Sequence, residues 1–311
     1  MRALVVDHGA AAHLSSAVVA DPVPAPGESL VRVEAVSLNH GEVEAAADPR
    51  TPDGTLIGWD AAGVVVEAAA DGSGPTEGTR VVTLGGDAGW AELRAVPANL
   101  LGVVPEDADP GAVSTLPVAG LSALHVLRRL GPLLGRRVMV TGASGGVGRF
   151  AVQLAARSGA EVVAISRNPD QGDGLRALGA HEVRTDPADV DRPVAAVLDT
   201  VGGQQLVDAF AALGAHGVLV NVGRSSGADA VFPPEAFLGD GGRHARSIST
   251  FFLVSDPAAD FSADLAWLAA EVAAGRLDPG IRWRGPWARH EEAVRALLGR
   301  RLHGKAVLDV A

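Results

Sequence analysis

Short apolar runs separated by turn residues dominate the first third of the chain. Arg2-Ala3-Leu4-Val5-Val6, Ser29–Val36, Ala61–Glu67 and Thr79–Leu84 have the length and alternation of strands. Pro26-Gly27, Asp53-Gly54 and Asp71-Gly72 punctuate them. This pattern predicts a small β-rich domain. From about Gly111 to Thr250 the pattern changes. Apolar runs at Val138–Val140, Val162–Ile165, Val194–Leu198 and Val218–Val222 alternate with helical stretches such as Gly174–Leu178 and Gln204–Leu213. Strands buried on both faces read as unbroken apolar runs, so α/β architecture with a doubly wound parallel sheet is expected here. A last zone, from about Phe251, carries helices at Phe261–Ala274 and Glu291–Leu298 and a terminal strand at Ala306–Val310. That strand has no evident parallel partner nearby and is expected to return to the N-terminal β domain.

The most specific stretch is Val138-Met139-Val140-Thr141-Gly142-Ala143-Ser144-Gly145-Gly146-Val147-Gly148, followed by the helical pattern of Phe150, Val152, Leu154 and Ala155. It reads as a buried strand, a glycine turn and a helix, with a second strand at Glu161–Ile165. The glycines let the backbone lie close to a pyrophosphate, and the helix points its free N–H groups at the same spot. Ser144, Gly145, Gly146, Val147 and Gly148 are therefore candidate cofactor-binding residues. A free ribose 2′-hydroxyl calls for an acid at the tip of the second strand, roughly 20 residues past the glycines. Ser166-Arg167-Asn168 stands there instead. A serine hydroxyl and a guanidinium suit a 2′-phosphate, so NADPH is expected over NADH. A solvated loop charge is the plainer reading of Arg167, and Asp170 lies close by.

Composition narrows the chemistry. At 311 residues and 47% hydrophobic, the chain suits about two domains with real cores. The net charge of −11 and the lack of a dense basic run argue against nucleic acid. No apolar run is long enough for a bilayer, and Met1 opens no charged-then-apolar leader, so a soluble cytoplasmic protein is expected. The chain has no cysteine and no tyrosine. Disulfides, thiolate nucleophiles, sulfur-bound zinc and phenolic proton donors are all excluded. Its nine histidines show no paired ligand spacing, so no metal is expected.

Several segments, taken in order, resemble the medium-chain dehydrogenase/reductase superfamily, in its zinc-independent quinone oxidoreductase branch. They are Ser37-Leu38-Asn39, Ile57-Gly58-Trp59-Asp60-Ala61-Ala62-Gly63-Val64-Val65, Gly78-Thr79-Arg80-Val81, Gly89-Trp90-Ala91-Glu92, Leu116-Pro117 with Leu121-Ser122-Ala123, Asp199-Thr200-Val201-Gly202-Gly203, Val222-Gly223 and Gly304-Lys305-Ala306-Val307-Leu308. The resemblance implies a GroES-like β-rich catalytic domain, 1–112 plus 251–311, interrupted by a Rossmann NADP-binding domain, 113–250, with the active site between them. It implies a homodimer formed through cofactor-domain sheet edges. It places Asn39 and Ser122 near the nicotinamide ribose, and Val201, Val222, Gly223, Phe252 and Lys305 along the cofactor channel. The zinc-dependent branch carries a cysteine near Leu38-Asn39 and Gly-His-Glu near Gly58-Trp59-Asp60, and both are missing here. The acid usual after Leu-Asn is Glu42 here, shifted or substituted.

Oxidising an alcohol needs a base or metal, and reducing a plain ketone needs an electrophile on oxygen. A quinone demands less, because hydride addition leaves a stabilised hydroquinone anion that water can protonate. Hydride transfer from NADPH to a quinone or activated enone is the economical reading. An enoyl-thioester reductase of a biosynthetic assembly line and a non-catalytic NADPH-binding or sensor protein are the alternatives. Asn39 and His40 are the candidate catalytic residues, with a structural or solvent-facing His40 as the plainer reading. Trp59 and Trp90 suit either an aromatic pocket floor or the core. Glu42 and Glu44, two residues apart without an evident partner, are expected on an exposed strand or loop face.

Overall fold

The computed structural model describes residues 1–255, 259–300 and 302–310. Elements are numbered in chain order. The N-terminal stretch runs β1 (Arg2–Val6), β2 (Leu14–Val18), β3 (Glu28–Leu38), α1 (His40–Ala47), β4 (Asp60–Glu67), β5 (Arg80–Leu84), β6 (Leu93–Pro97), β7 (Leu101–Val103), α2 (Pro110–Val113) and α3 (Leu116–Arg129). The middle runs β8 (Arg137–Val140), α4 (Gly146–Arg157), β9 (Glu161–Ile165), α5 (Gly172–Ala177), β10 (Glu182–Arg184), β11 (Val194–Asp199), α6 (Gly203–Ala211), β12 (Leu213–Asn221) and β13 (Ser247–Thr250). The chain closes with α7 (Ser262–Ala273), β14 (Ile281–Pro286), α8 (His290–Leu298) and β15 (Lys305–Asp309).

Two compact units result: Met1–Leu121 with Asp256–Ala311, and Ser122–Ser255. In the first, one sheet has the order β14-β15-β3-β4-β5-β7, with β6 also paired to β3, and β1 and β2 form a separate hairpin. The eleven residues of β3 alternate buried and less buried positions over their first half, then stay buried. Its inward residues Val33, Val36 and Leu38 join Leu4, Val43, Trp90, Val294 and Leu308 in the core. β15 pairs antiparallel with β3, as the expected return to the β domain requires. It also has a parallel partner, β14, which corrects the expectation of none. Ile281-Arg282-Trp283-Arg284 alternates, so β14 lies at the sheet's edge with its arginines outward.

The second unit is a six-stranded sheet of order β10-β9-β8-β11-β12-β13, and every pairing is parallel. This is the doubly wound order, whose direction of winding reverses between β8 and β11. Val138, Met139 and Val140 of β8 are wholly buried, which explains that unbroken apolar run. Met139, Val163, Val197 and Leu219 pack with Leu206, Ala209 and Phe210 of α6. Each such side chain, fully buried, is worth roughly 1.5–3 kcal/mol. No helix among the described residues is long and apolar enough to cross a membrane.

Candidate active site

In the second unit, the glycine turn leaves the C-terminal end of β8, where the sheet's winding reverses. Gly142 has φ +58°, and a Cβ there would collide with the Thr200 hydroxyl at the end of β11. A Cβ at Gly148 would lie 2.7 Å from Ala143 Cα and closer still to the Gly142 carbonyl oxygen. Gly148 thus lets α4 pack directly on the turn. Gly145 caps α4 without a side chain, and the first turn of α4 carries no acid. The N–H groups of Gly146, Val147 and Gly148, in the first turn, therefore have no acceptor within the helix. A backbone cradle with free donors at the carboxyl ends of parallel strands fits a dinucleotide pyrophosphate.

Asp199 braces this end of the sheet. It is buried and accepts hydrogen bonds from the Thr141 hydroxyl, the Val201 N–H at 3.2 Å, the Gly202 N–H at 3.0 Å and Asn221 Nδ2 at 2.6 Å. One carboxylate thereby ties together the ends of β8, β11 and β12. Thr141 and Asn221 escaped the sequence reading, because a polar residue ending an apolar strand gives no sign of a partner 58 or 22 residues away. A Cβ at Gly223 would lie 2.8 Å from the Thr200 carbonyl oxygen, which keeps Val222 and Gly223 against the same strand end. Val201 and Ser122 are buried, whereas Phe252 is 66% exposed.

At the tip of β9, Ser166 is buried with its hydroxyl 3.3 Å from Ser144 Oγ of the glycine turn. Arg167 follows, exposed and without an ion pair among the described residues. Asn168 turns the chain by accepting from the Asp170 N–H at 3.0 Å, and Asp170 is exposed. No carboxylate stands at the tip itself.

A buried polar network lies in the first unit. Asp60, Glu42, Arg94 and Lys305 are between 0% and 3% exposed. Lys305 Nζ donates to the Leu38 carbonyl at 3.0 Å, Asn39 Oδ1 at 2.6 Å and Asp60 Oδ2 at 3.3 Å. All three of its N–H groups are thereby used, and it serves as counter-ion to Asp60. Asp60 also accepts from Ser37 Oγ at 2.8 Å, Asn39 Nδ2 at 2.8 Å and the Val118 N–H at 2.9 Å. Asn39 caps α1. Its amide nitrogen donates to both Asp60 and Glu42, so its side chain is held firmly inside the network. His40, next along, is one-third exposed, with Nε2 3.2 Å from Glu44 Oε1. The structure therefore joins Asn39 to Lys305 and turns His40 toward Glu44.

Glu42 corrects the expectation of an exposed face. It is buried on α1, where Oε1 accepts the Asn39 N–H at 2.6 Å and Oε2 accepts the Trp59 N–H at 2.7 Å. Burial, then the charge of Asp60, pushes its carboxyl up to about 8, against the opposing pull of Lys305 and the two N–H groups. Burial also lowers the Arg94 guanidinium to about 10. Trp90 is wholly buried in the core, while Trp59 is half-buried. Among the described residues no group of three or more His, Asp or Glu could hold a metal ion.

Two family models match the chain. The alcohol dehydrogenase GroES-like domain matches residues 25–106, and the zinc-binding dehydrogenase model matches residues 146–270. The chain is 34% identical over 227 residues to the chloroplastic quinone-oxidoreductase QR1 of Triphysaria versicolor, covering 66% of each. It is 36% identical over 159 residues to the spectinabilin polyketide synthase system protein NorB of Streptomyces orinoci, covering 51% of this chain and 7% of that one. The matched stretch thus spans less than two thirds of either relative. The crystal structure of a 2-haloacrylate reductase superposes with a TM-score of 0.85 at 25% identity, covering 100% of this chain and 99% of that one.

Proposed function

The chain belongs to the medium-chain dehydrogenase/reductase superfamily, in its quinone oxidoreductase branch, and from that premise we propose an NADPH-dependent reductase acting on a quinone or activated enone without a metal ion. The observation that carries the cofactor reading is the donor-lined glycine cradle at the switch point, with Ser166 and Arg167 in place of an acid at the tip of β9. Gly146, Val147 and Gly148 would hold the pyrophosphate, and Ser166 with Arg167 would hold the 2′-phosphate. When bound, the reduced nicotinamide supplies the hydride. The chain contributes position and a dry environment rather than a strong acid, since it has neither thiol nor phenol. A quinone suits that economy because its reduced anion needs no protein acid. Asn39, fixed by Asp60, Glu42 and Lys305, would orient the bound groups, and His40 would offer a proton or hydrogen bond to the acceptor oxygen.

The proposal extends to a homodimer in the cytoplasm. β13 is the sheet's edge, and its four residues are exposed with unpaired backbone groups on one side. The stretch shared with NorB favours a second reading, reduction of an enoyl-thioester. Consumption of NADPH by one purified sample, offered naphthoquinone, an acyclic enone and crotonyl-thioester in turn, separates these readings. Fastest turnover with the quinone or enone is expected. Turnover of the thioester alone, or tight NADPH binding with no turnover, overturns the proposal.

A further inference from the structure

Two buried charged side chains converge on the main chain of a single residue. The N–H of Trp59 is held by Glu42 Oε2 at 2.7 Å. Its carbonyl oxygen accepts from Arg94 Nη1 at 3.0 Å and from the Gly85 N–H at 3.1 Å. Arg94 further donates to the Asp87 carbonyl at 2.8 Å and to Thr83 Oγ1 at 3.0 Å, so the strand entering β4 is gripped from both sides. The indole is fixed as well. A Cβ at Gly41 would lie 3.0 Å from Trp59 Cη2, so the ring rests directly on the first turn of α1. Burying two ionisable groups is costly unless every contact is made, and an ordinary core tryptophan requires nothing of the kind. Trp90, wholly buried a few residues beyond β5, is held by backbone groups alone, its N–H donating to the Ile57 carbonyl at 3.2 Å and its carbonyl accepting from the Leu4 N–H at 2.9 Å. Trp59 is instead only half-buried. It is one of only twelve aromatic residues, five Trp and seven Phe, in the chain.

Resting on the reductase reading above, we propose that Trp59 is the stacking platform for the acceptor and selects flat, ring-conjugated acceptors such as quinones over acyclic enones and thioesters, with Glu42 and Arg94 as its positioning residues. An indole held rigid loses little freedom on binding, and its face suits an electron-poor ring in offset stacking. A half-buried ring braced by Gly41 suits this role, because a platform must present one face and be supported on the other. The raised Glu42 carboxyl fits a group held in place at the expense of its own hydration.

The test compares Trp59→Leu, Trp59→Phe and Glu42→Gln with the wild type, using naphthoquinone and methyl vinyl ketone as acceptors. Trp59→Leu is expected to lower the ratio of kcat/KM for the quinone to that for the enone about tenfold, as loss of one stacking contact implies. Trp59→Phe recovers most of that ratio. Glu42→Gln lowers it by a smaller factor, a change in selectivity that mere loosening of the fold would not give. Equal losses for both acceptors in Trp59→Leu, or an unchanged ratio, overturn the proposal. Quenching of tryptophan emission by naphthoquinone reads the platform without turnover. Quenching that persists undiminished in Trp59→Phe overturns the platform, whereas quenching confined to the wild type in a protein that reduces nothing sinks the reductase reading alone.

Discussion

Replacing Gly148 with alanine tests the cofactor cradle at its tightest point. The added Cβ would lie 2.7 Å from Ala143 Cα, against the 3.4 Å at which ordinary contact begins. Helix and turn must therefore separate by at least about 0.7 Å, because the Gly142 carbonyl oxygen stands closer still. A phosphate contact of about 2.9 Å stretched by that amount reaches about 3.6 Å and ceases to be a hydrogen bond. One charge-assisted bond is worth roughly 1.5–3 kcal/mol, so the dissociation constant for NADPH should rise at least about tenfold. Isothermal titration measures this directly. Gly174→Ala is the control: it sits in α5, its Cβ meets nothing within 4 Å, and it should leave NADPH affinity unchanged. It should also raise stability by about 0.4–1 kcal/mol. If folded Gly148→Ala binds NADPH within twofold of the wild type, the cradle does not hold the pyrophosphate.

Three further predictions follow from individual charges. Arg167→Ala should raise KM for NADPH about tenfold and leave that for NADH unchanged, measured by initial rates, because under the proposed reading the exposed guanidinium would meet the 2′-phosphate. Lys305→Met strands the Asp60 charge in the core and should lower stability by about 3–5 kcal/mol in urea unfolding; a loss below about 1 kcal/mol refutes the counter-ion role. Because the folded Glu42 carboxyl is raised from 4.5 to about 8, its contribution to stability is fully present below 4.5 and is lost as pH rises toward 8. Unfolding free energies of the wild type should therefore fall across that window relative to Glu42→Gln, and identical slopes would show that Glu42 titrates normally.

The parallel sheet was legible because β8, β9 and β11 are buried on both faces and leave unbroken apolar runs. The glycine turn was legible because a backbone that must approach a helix and a strand end tolerates no side chain there. The helix α1 was not. Its buried face includes the carboxylate of Glu42 beside Val43 and Ala46, so no apolar period announces it. A buried charge looks like a solvated one until its partners appear, and the Trp59 N–H lies 17 residues away. β13 escaped for the opposite reason, since all four residues of its Ser-Ile-Ser-Thr run are exposed at the sheet's edge. Lys305 was picked out by resemblance alone. Its role as counter-ion depends on Asn39 and Asp60, 266 and 245 residues away, a closeness that only the pairing of β15 with β3 creates.

The central claim is that the turn between β8 and α4 grips a phosphorylated nicotinamide dinucleotide. Parallel titrations of the native protein with NADPH and NADH test it most directly. The account predicts saturable binding of both, with NADPH tighter by at least about tenfold, the contribution of one charge-assisted phosphate contact. Equal affinities, a preference for NADH, or no binding of either would contradict it.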